Sequence, residues 1–181
     1  MNHTDTPARY DARTILLHWT TAGLVVALWA LGQTIDWFPK GTLRIGARGT
    51  HILLGVVLAA VLVARIRWRL SGGARLPSAE PAWLGRAAKL GHGLLYLLLV
   101  AAVLLGVANV WVRGDNIFNL FTVPAFDPGN KALRHQVGDL HEWAANLLGG
   151  LALLHAAAAL FHHQVLKDGV LLRMRRLRGA G

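Results

Sequence analysis

The chain has 181 residues, 54% of them hydrophobic and only 15% charged, with 19 Lys and Arg against 9 Asp and Glu for a formal charge of +10. A soluble domain carries about 25% charged residues, so disorder, collagen and a fully wetted globule are excluded. The absence of cysteine also excludes disulfide scaffolds, iron–sulfur clusters, thiolate zinc sites, covalent c-type haem and thiol catalysis.

A bilayer crossing needs about 20 mainly apolar residues, and four stretches qualify. The first runs from about Thr14 to Ile35 and bears His18. It is longer than a signal-peptide core and no small-x-small cleavage site follows before Gln33, so it reads as a permanent helix. The second, about Thr50 to Leu70, opens on His51. Its clean apolar part, 52–64, is short, and Arg65, Arg67 and Arg69 are expected to snorkel to the headgroups. The third runs from about Leu90 to Val112 with His92 near its start. The fourth, about His141 to Phe161, carries His141 and His155 and is followed by His162 and His163. The Pro-bearing segments 36–49, 71–88 and 113–138 read as connections.

The expected fold is an all-α integral membrane protein, a four-helix transmembrane bundle in one domain over 1–181 with a basic tail at 167–181. Thirteen of the 19 Lys and Arg fall in the amino-terminal tail, the second connection region and the carboxyl tail. The positive-inside rule then puts both termini in the cytoplasm, and the tail reads as a lipid-headgroup anchor. Basic residues interleaved with apolar spans do not form a wetted face, so no nucleic-acid partner is expected. The seven tryptophans mostly sit near span ends, as an interfacial belt requires.

An ionisable residue inside a membrane is a functional candidate by default. His141 and His155 are 14 residues apart, which on a helix is about 21 Å of rise and a return to within about 40° of the same face. His162 lies about 20° off that line, while His163 points about 100° away. With the expected orientation, His18 shares a depth with His155 on the inner side, and His51 with His141 on the outer side. Two stacked pairs of neutral imidazoles on facing helices suit two bis-histidine haems. Gly55, Gly149 and Gly150 would leave room for a flat macrocycle. Three other readings stand beside this one. Membrane histidines bond helix to helix, and glycines permit close helix packing. Zinc also favours histidine, although catalytic zinc expects neighbouring carboxylates and an open aqueous position. A transporter or assembly factor binding metal without haem would be a protein of another class.

At Leu17-His18-Trp19, His51, Leu90-Gly91-His92 with Tyr96, Arg113-Gly114 and His141-Glu142, the sequence resembles the bacterial cytochrome b561 family, in particular its superoxide oxidase branch. The longest matching stretch is Leu154-His155-Ala156-Ala157-Ala158-Ala159-Leu160-Phe161-His162-His163, followed by Lys167-Asp168 and Leu171-Leu172-Arg173-Met174. The resemblance implies a multi-pass inner-membrane cytochrome with two noncovalent b haems, on His18 with His155 and on His51 with His141. It implies a ubiquinone site near the inner haem, with His162, and His92 on the quinone side or behind a ligand. It further implies superoxide as the electron donor, with no protein partner required, and favours Arg113, Lys131 and Arg134 as a basic funnel leading to His141. The alternative within the same chemistry is a cytochrome b subunit that passes electrons between a partner dehydrogenase or hydrogenase and quinone. No nucleophile triad, phosphate loop or paired-carboxylate site is visible.

Overall fold

The computed structural model describes residues 9–73, 76 and 82–174. His3, together with Arg75, Arg175, Arg176 and Arg178 of the orientation argument, lies outside them. Four helices account for most of the described chain: α1 (Ala12–Thr34), α2 (Thr42–Ser71), α3 (Ala82–Arg113) and α4 (Lys131–Phe161). Each is long and apolar enough to cross a membrane.

Helix ends follow local chemistry. Asp11 caps α1, accepting from the Thr14 amide at 2.8 Å and from the Thr14 hydroxyl at 2.6 Å. Asn130 caps α4 by accepting from the Leu133 amide at 2.9 Å. Gly114 ends α3 at φ 66°, its amide and that of Asp115 both turned back to the Val110 carbonyl. A Cβ there would stand 2.9 Å from the Ala125 Cβ, so only glycine fits this cap.

The helices run well beyond the apolar spans. Residues 42–49, 82–88 and 131–138, expected as connection, are the opening turns of α2, α3 and α4. They contain basic and polar side chains but no proline. Hydropathy marks where lipid ends, and a helix without a breaker continues into the interface. Arg44, Arg48, Lys131 and Arg134 therefore sit on rigid helix and not on loops.

Two helical hairpins make the bundle: α1 packs mainly on α2 and α3 on α4, with much sparser contact between the hairpins. Where they meet, Leu28, Leu58, Leu62, Leu99, Ala102, Ala144 and Leu148 form a thin core. Leucines such as Leu53, Leu97, Leu104 and Leu153 face outward, as a lipid-facing surface requires. Trp29 and Gln33 of α1 both donate to the Asn146 side-chain oxygen of α4, at 3.0 and 2.9 Å. Polar clasps of this kind hold membrane helices together.

After α3 the chain forms a small hairpin, β1 (Asn116–Ile117) against β2 (Phe121–Thr122). Its turn has Phe118 at φ 54° and Asn119 at φ 60°, closed by the Leu120 amide on the Ile117 carbonyl. Two left-handed residues at these positions match the hairpin twist, although a non-glycine there costs about 1–3 kcal/mol. The offsetting contact is visible: the Phe118 ring lies on Gly49 of α2, where a Cβ would come within 3.0 Å of it.

Candidate functional site

Four of the histidines on the spans meet as two pairs. His18 of α1 faces His155 of α4 with ring centres 6.3 Å apart. His51 of α2 faces His141 of α4 with centres 6.2 Å apart and planes at 89°. Two imidazoles bound through nitrogen to one metal, at about 2.0 Å each, have ring centres about 6.3 Å apart. Both pairs match that spacing, and because His141 and His155 share one unbroken helix, the pairs are stacked about 21 Å apart along it.

At the His51–His141 end, glycine brings helix backbone against both rings. A Cβ on Gly106 would stand 3.1 Å from His141 Cε1, and one on Gly32 would stand 3.4 Å from His51 Cε1. His141 Nδ1 donates to the Ala102 carbonyl at 3.0 Å, which leaves Nε2 free and fixes the tautomer a metal ligand needs. His51 Nδ1 is buried without a hydrogen-bond partner among the described residues. A Cβ added at Gly55 or at Gly150 would meet no atom within 4 Å, as expected of glycines that leave space. Gly149 is different. Its missing Cβ admits the Trp29 indole, 3.0 Å away, so it serves helix packing and not a macrocycle.

The His18–His155 end is a cluster. His92 of α3 packs edge-on against His155 with centres 5.2 Å apart, about 1 Å closer than two imidazoles on opposite sides of one metal. Its Nδ1 donates to the Ala88 carbonyl of its own helix at 2.7 Å. His92 is thus a third imidazole beside the pair. Arg65 of α2 does not snorkel. Its Nε donates to the Tyr96 hydroxyl at 2.8 Å and its Nη2 lies 3.3 Å from His18 Nδ1. Arg67 and Arg69 are exposed, as expected.

Beyond His155, α4 ends in a π-helical turn, His162–Leu166, and Lys167 turns the chain back at φ 53°. This return brings the Asp168 carboxylate onto His162 Nδ1, while its second oxygen accepts from the Val170 amide at 3.1 Å. Desolvation pushes the Asp168 carboxyl up, but the His162 and Val170 hydrogen bonds outweigh it and hold the group below its ordinary range. His163, an alternative to His162 as proton donor but expected from its direction to face lipid or a neighbouring helix, lines an apolar cleft of about 590 Å³ with Ile15, Leu16, Trp19, Leu171, Leu172 and Met174. Trp19 closes that cleft by donating to the Met174 carbonyl at 3.0 Å.

The basic residues at the opposite end are partly engaged. Arg48 and Arg113 share one oxygen of the buried Asp115, at 3.4 and 3.5 Å. Arg134 donates to the Pro128 carbonyl at 2.9 Å, and Lys131 is exposed on the first turn of α4. Arg48, Asp115, Asp168, Gly32 and Gly106 had no assigned role in the sequence. Asp168 was discoverable, since it stands in the Lys167-Asp168 motif six residues after His162.

The family model for prokaryotic cytochrome b561 matches residues 9–176. The chain belongs to the prokaryotic cytochrome b561 family. It is 36% identical over 170 residues to Cytochrome b561 homolog 1 of Escherichia coli (strain K12), covering 92% of this chain and 96% of the relative. It is 30% identical over 170 residues to the Probable superoxide oxidase CybB of Yersinia pestis, covering 92% and 95%. Cytochrome b562 of Cereibacter sphaeroides is 32% identical over 174 residues, covering 93% and 96%. A prokaryotic cytochrome b561 is a multi-pass bacterial membrane protein of electron transfer, and the family binds haem b. The residues here fit that group: paired imidazoles at metal-bridging distance, a fixed ligand tautomer at His141, and glycines against two of the rings. Among the described residues, no three His, Cys, Asp or Glu side chains converge as an ion site.

Proposed function

We propose that this cytochrome b561 is a di-haem protein of the bacterial inner membrane that moves electrons from superoxide on the outer side to ubiquinone near the cytoplasmic side. The observation that carries this reading is the pair of matched histidine pairs, 6.3 and 6.2 Å between ring centres, stacked on α4. In it, His18 and His155 hold one haem b and His51 and His141 the other, with both termini cytoplasmic. Haem b, when bound, supplies reversible one-electron chemistry; the protein supplies ligands, spacing and access.

Two superoxide ions give up one electron each and leave as dioxygen; one ubiquinone takes two electrons and two protons and becomes ubiquinol. Lys131, Arg134 and Arg113 attract the anion at the outer end, with Arg113 weakened by Asp115. His162, its Nδ1 held by Asp168, presents Nε2 as the proton donor to a quinone oxygen. The neighbouring apolar cleft suits a lipid-soluble ring, and His92 lies behind His155 on the same side. No protein partner is needed for this reaction. The name of the Yersinia pestis relative supports superoxide as the donor.

Stopped-flow mixing of the purified protein with superoxide tests the reading. Haem bands should appear reduced within the mixing transient and reoxidise only when a ubiquinone is supplied. A protein that superoxide does not reduce, but a dehydrogenase or hydrogenase does, would refute it.

A further inference from the structure

Arg65 is a costly residue to keep where it lies. It sits about 9 Å from the end of α2, six residues before Ser71, and a charge inside a span demands a partner or a purpose. Rather than reaching for headgroups, it is clamped inward: the Tyr96 hydroxyl accepts from Nε at 2.8 Å, and the guanidinium carbon stands 5.1 Å from the Tyr96 ring centre. Its Nη2 is 3.3 Å from His18. Among the described residues no carboxylate pairs with Arg65; the ion pairs join Arg44 to Asp36, Arg48 and Arg113 to Asp115, and His162 to Asp168. The two ends of the bundle therefore differ. At the His51–His141 end Arg48 and Arg113 are both drawn onto Asp115, whereas Arg65 touches His18 with no carboxylate on it.

We propose that Arg65, clamped by Tyr96, is a fixed positive charge that raises the reduction potential at the His18–His155 site and so makes electron transfer from the other site run downhill. A bis-imidazole iron centre loses one positive charge on reduction. A nearby cation in a medium of low dielectric therefore disfavours the oxidised form and favours the reduced one. Tyr96 is the positioning residue, because it holds the guanidinium against His18 and away from the interface. The proposal rests on the ligand assignment given under the proposed function.

The experiment is a spectroscopic redox titration of the full-length, haem-loaded protein in the His51→Ala background, which isolates the His18–His155 site. Haem content is counted first. If His18→Ala in the otherwise unaltered protein keeps two haems, the ligand assignment fails, and this proposal with it, before any potential is read. With the assignment in place, Arg65→Gln should lower the potential by at least the equivalent of a tenfold change in electron sharing, 59 mV for one electron, and Arg65→Lys should recover most of it. An unmoved potential overturns the proposal. A raised one also does, because it would mean that Arg65 acts by donating to a deprotonated His18 Nδ1 and so stabilising an imidazolate. Should Arg65→Gln fail to hold haem, Tyr96→Phe is titrated instead. It keeps the charge but frees it, so a smaller downward shift supports the proposal and none refutes it.

Discussion

Gly106→Ala should remove one haem while making the polypeptide no less stable. The added Cβ would stand 3.1 Å from His141 Cε1 and 3.5 Å from His141 Nδ1. Ordinary carbon contacts begin near 3.4 Å, so the ring has to retreat by at least about 0.3 Å, more than the roughly 0.2 Å tolerance of a metal–ligand bond. The ring is not free to pivot, because its Nδ1 is tied to the Ala102 carbonyl at 3.0 Å, on the same helix as Gly106. Disturbing a ligand's orientation in this way typically costs about 10–100-fold in affinity. Alanine meanwhile favours a helix interior by about 0.5–1 kcal/mol over glycine. Haem content and helix stability should therefore move in opposite directions. Pyridine haemochrome at limiting haem, set beside thermal melting of the haem-free protein, reads both quantities. Gly23→Ala is the control: a Cβ there meets nothing within 4 Å, so it should gain the helix term and keep two haems. Two haems at unaltered affinity in Gly106→Ala would refute the placement of His141 as a ligand.

Four further outcomes are expected. His18→Ala and His155→Ala should each reduce haem from about two per protein to about one by losing the same spectral component, His51→Ala and His141→Ala should lose the other, and His92→Ala should keep both. Asp168→Asn should slow quinone reduction with both haems retained, as His162→Ala should; normal turnover with quinone in either variant would remove the His162–Asp168 contact from the reaction. Because the Asp168 carboxyl is held below its ordinary value, its contribution to the 162–174 segment is complete above about pH 4 and is lost as pH falls through the depressed value; hydrogen exchange of the Val170 amide should stay slow at pH 5 and quicken only on further acidification. The triple variant Arg113→Gln, Lys131→Gln and Arg134→Gln should lower the superoxide rate about 10-fold and flatten its salt dependence, and a rate that salt does not alter in the unmodified protein would dispose of the funnel.

Much of the bundle was legible because its determinants are local. Each of the four apolar runs of span length is set by its own residues. The opening turns of α2, α3 and α4 were not legible, since hydropathy reports the solvent around a helix and not the hydrogen bonds within it. Residues 131–138 show this plainly: their basic and polar side chains read as loop, yet they lack proline and lie behind an Asn130 cap.

At the site, the histidine pairing followed from helix periodicity and the depth of each residue, two quantities a sequence carries. Arg65 did not. Three arginines in alternation at a span end look alike by composition, and only tertiary packing distinguishes the one that Tyr96, 31 residues away, turns inward. Asp115 drawing on Arg48, 67 residues away, is a second case. Gly106 and Gly149 are a third: two glycines on facing helices, one against a histidine ring and the other against an indole. Histidine pairs can be read from spacing because two imidazoles at one depth leave a periodic trace along the helices. The groups that tune them, charges and missing Cβ atoms, are set by which helix face meets which, and that is decided by the whole bundle.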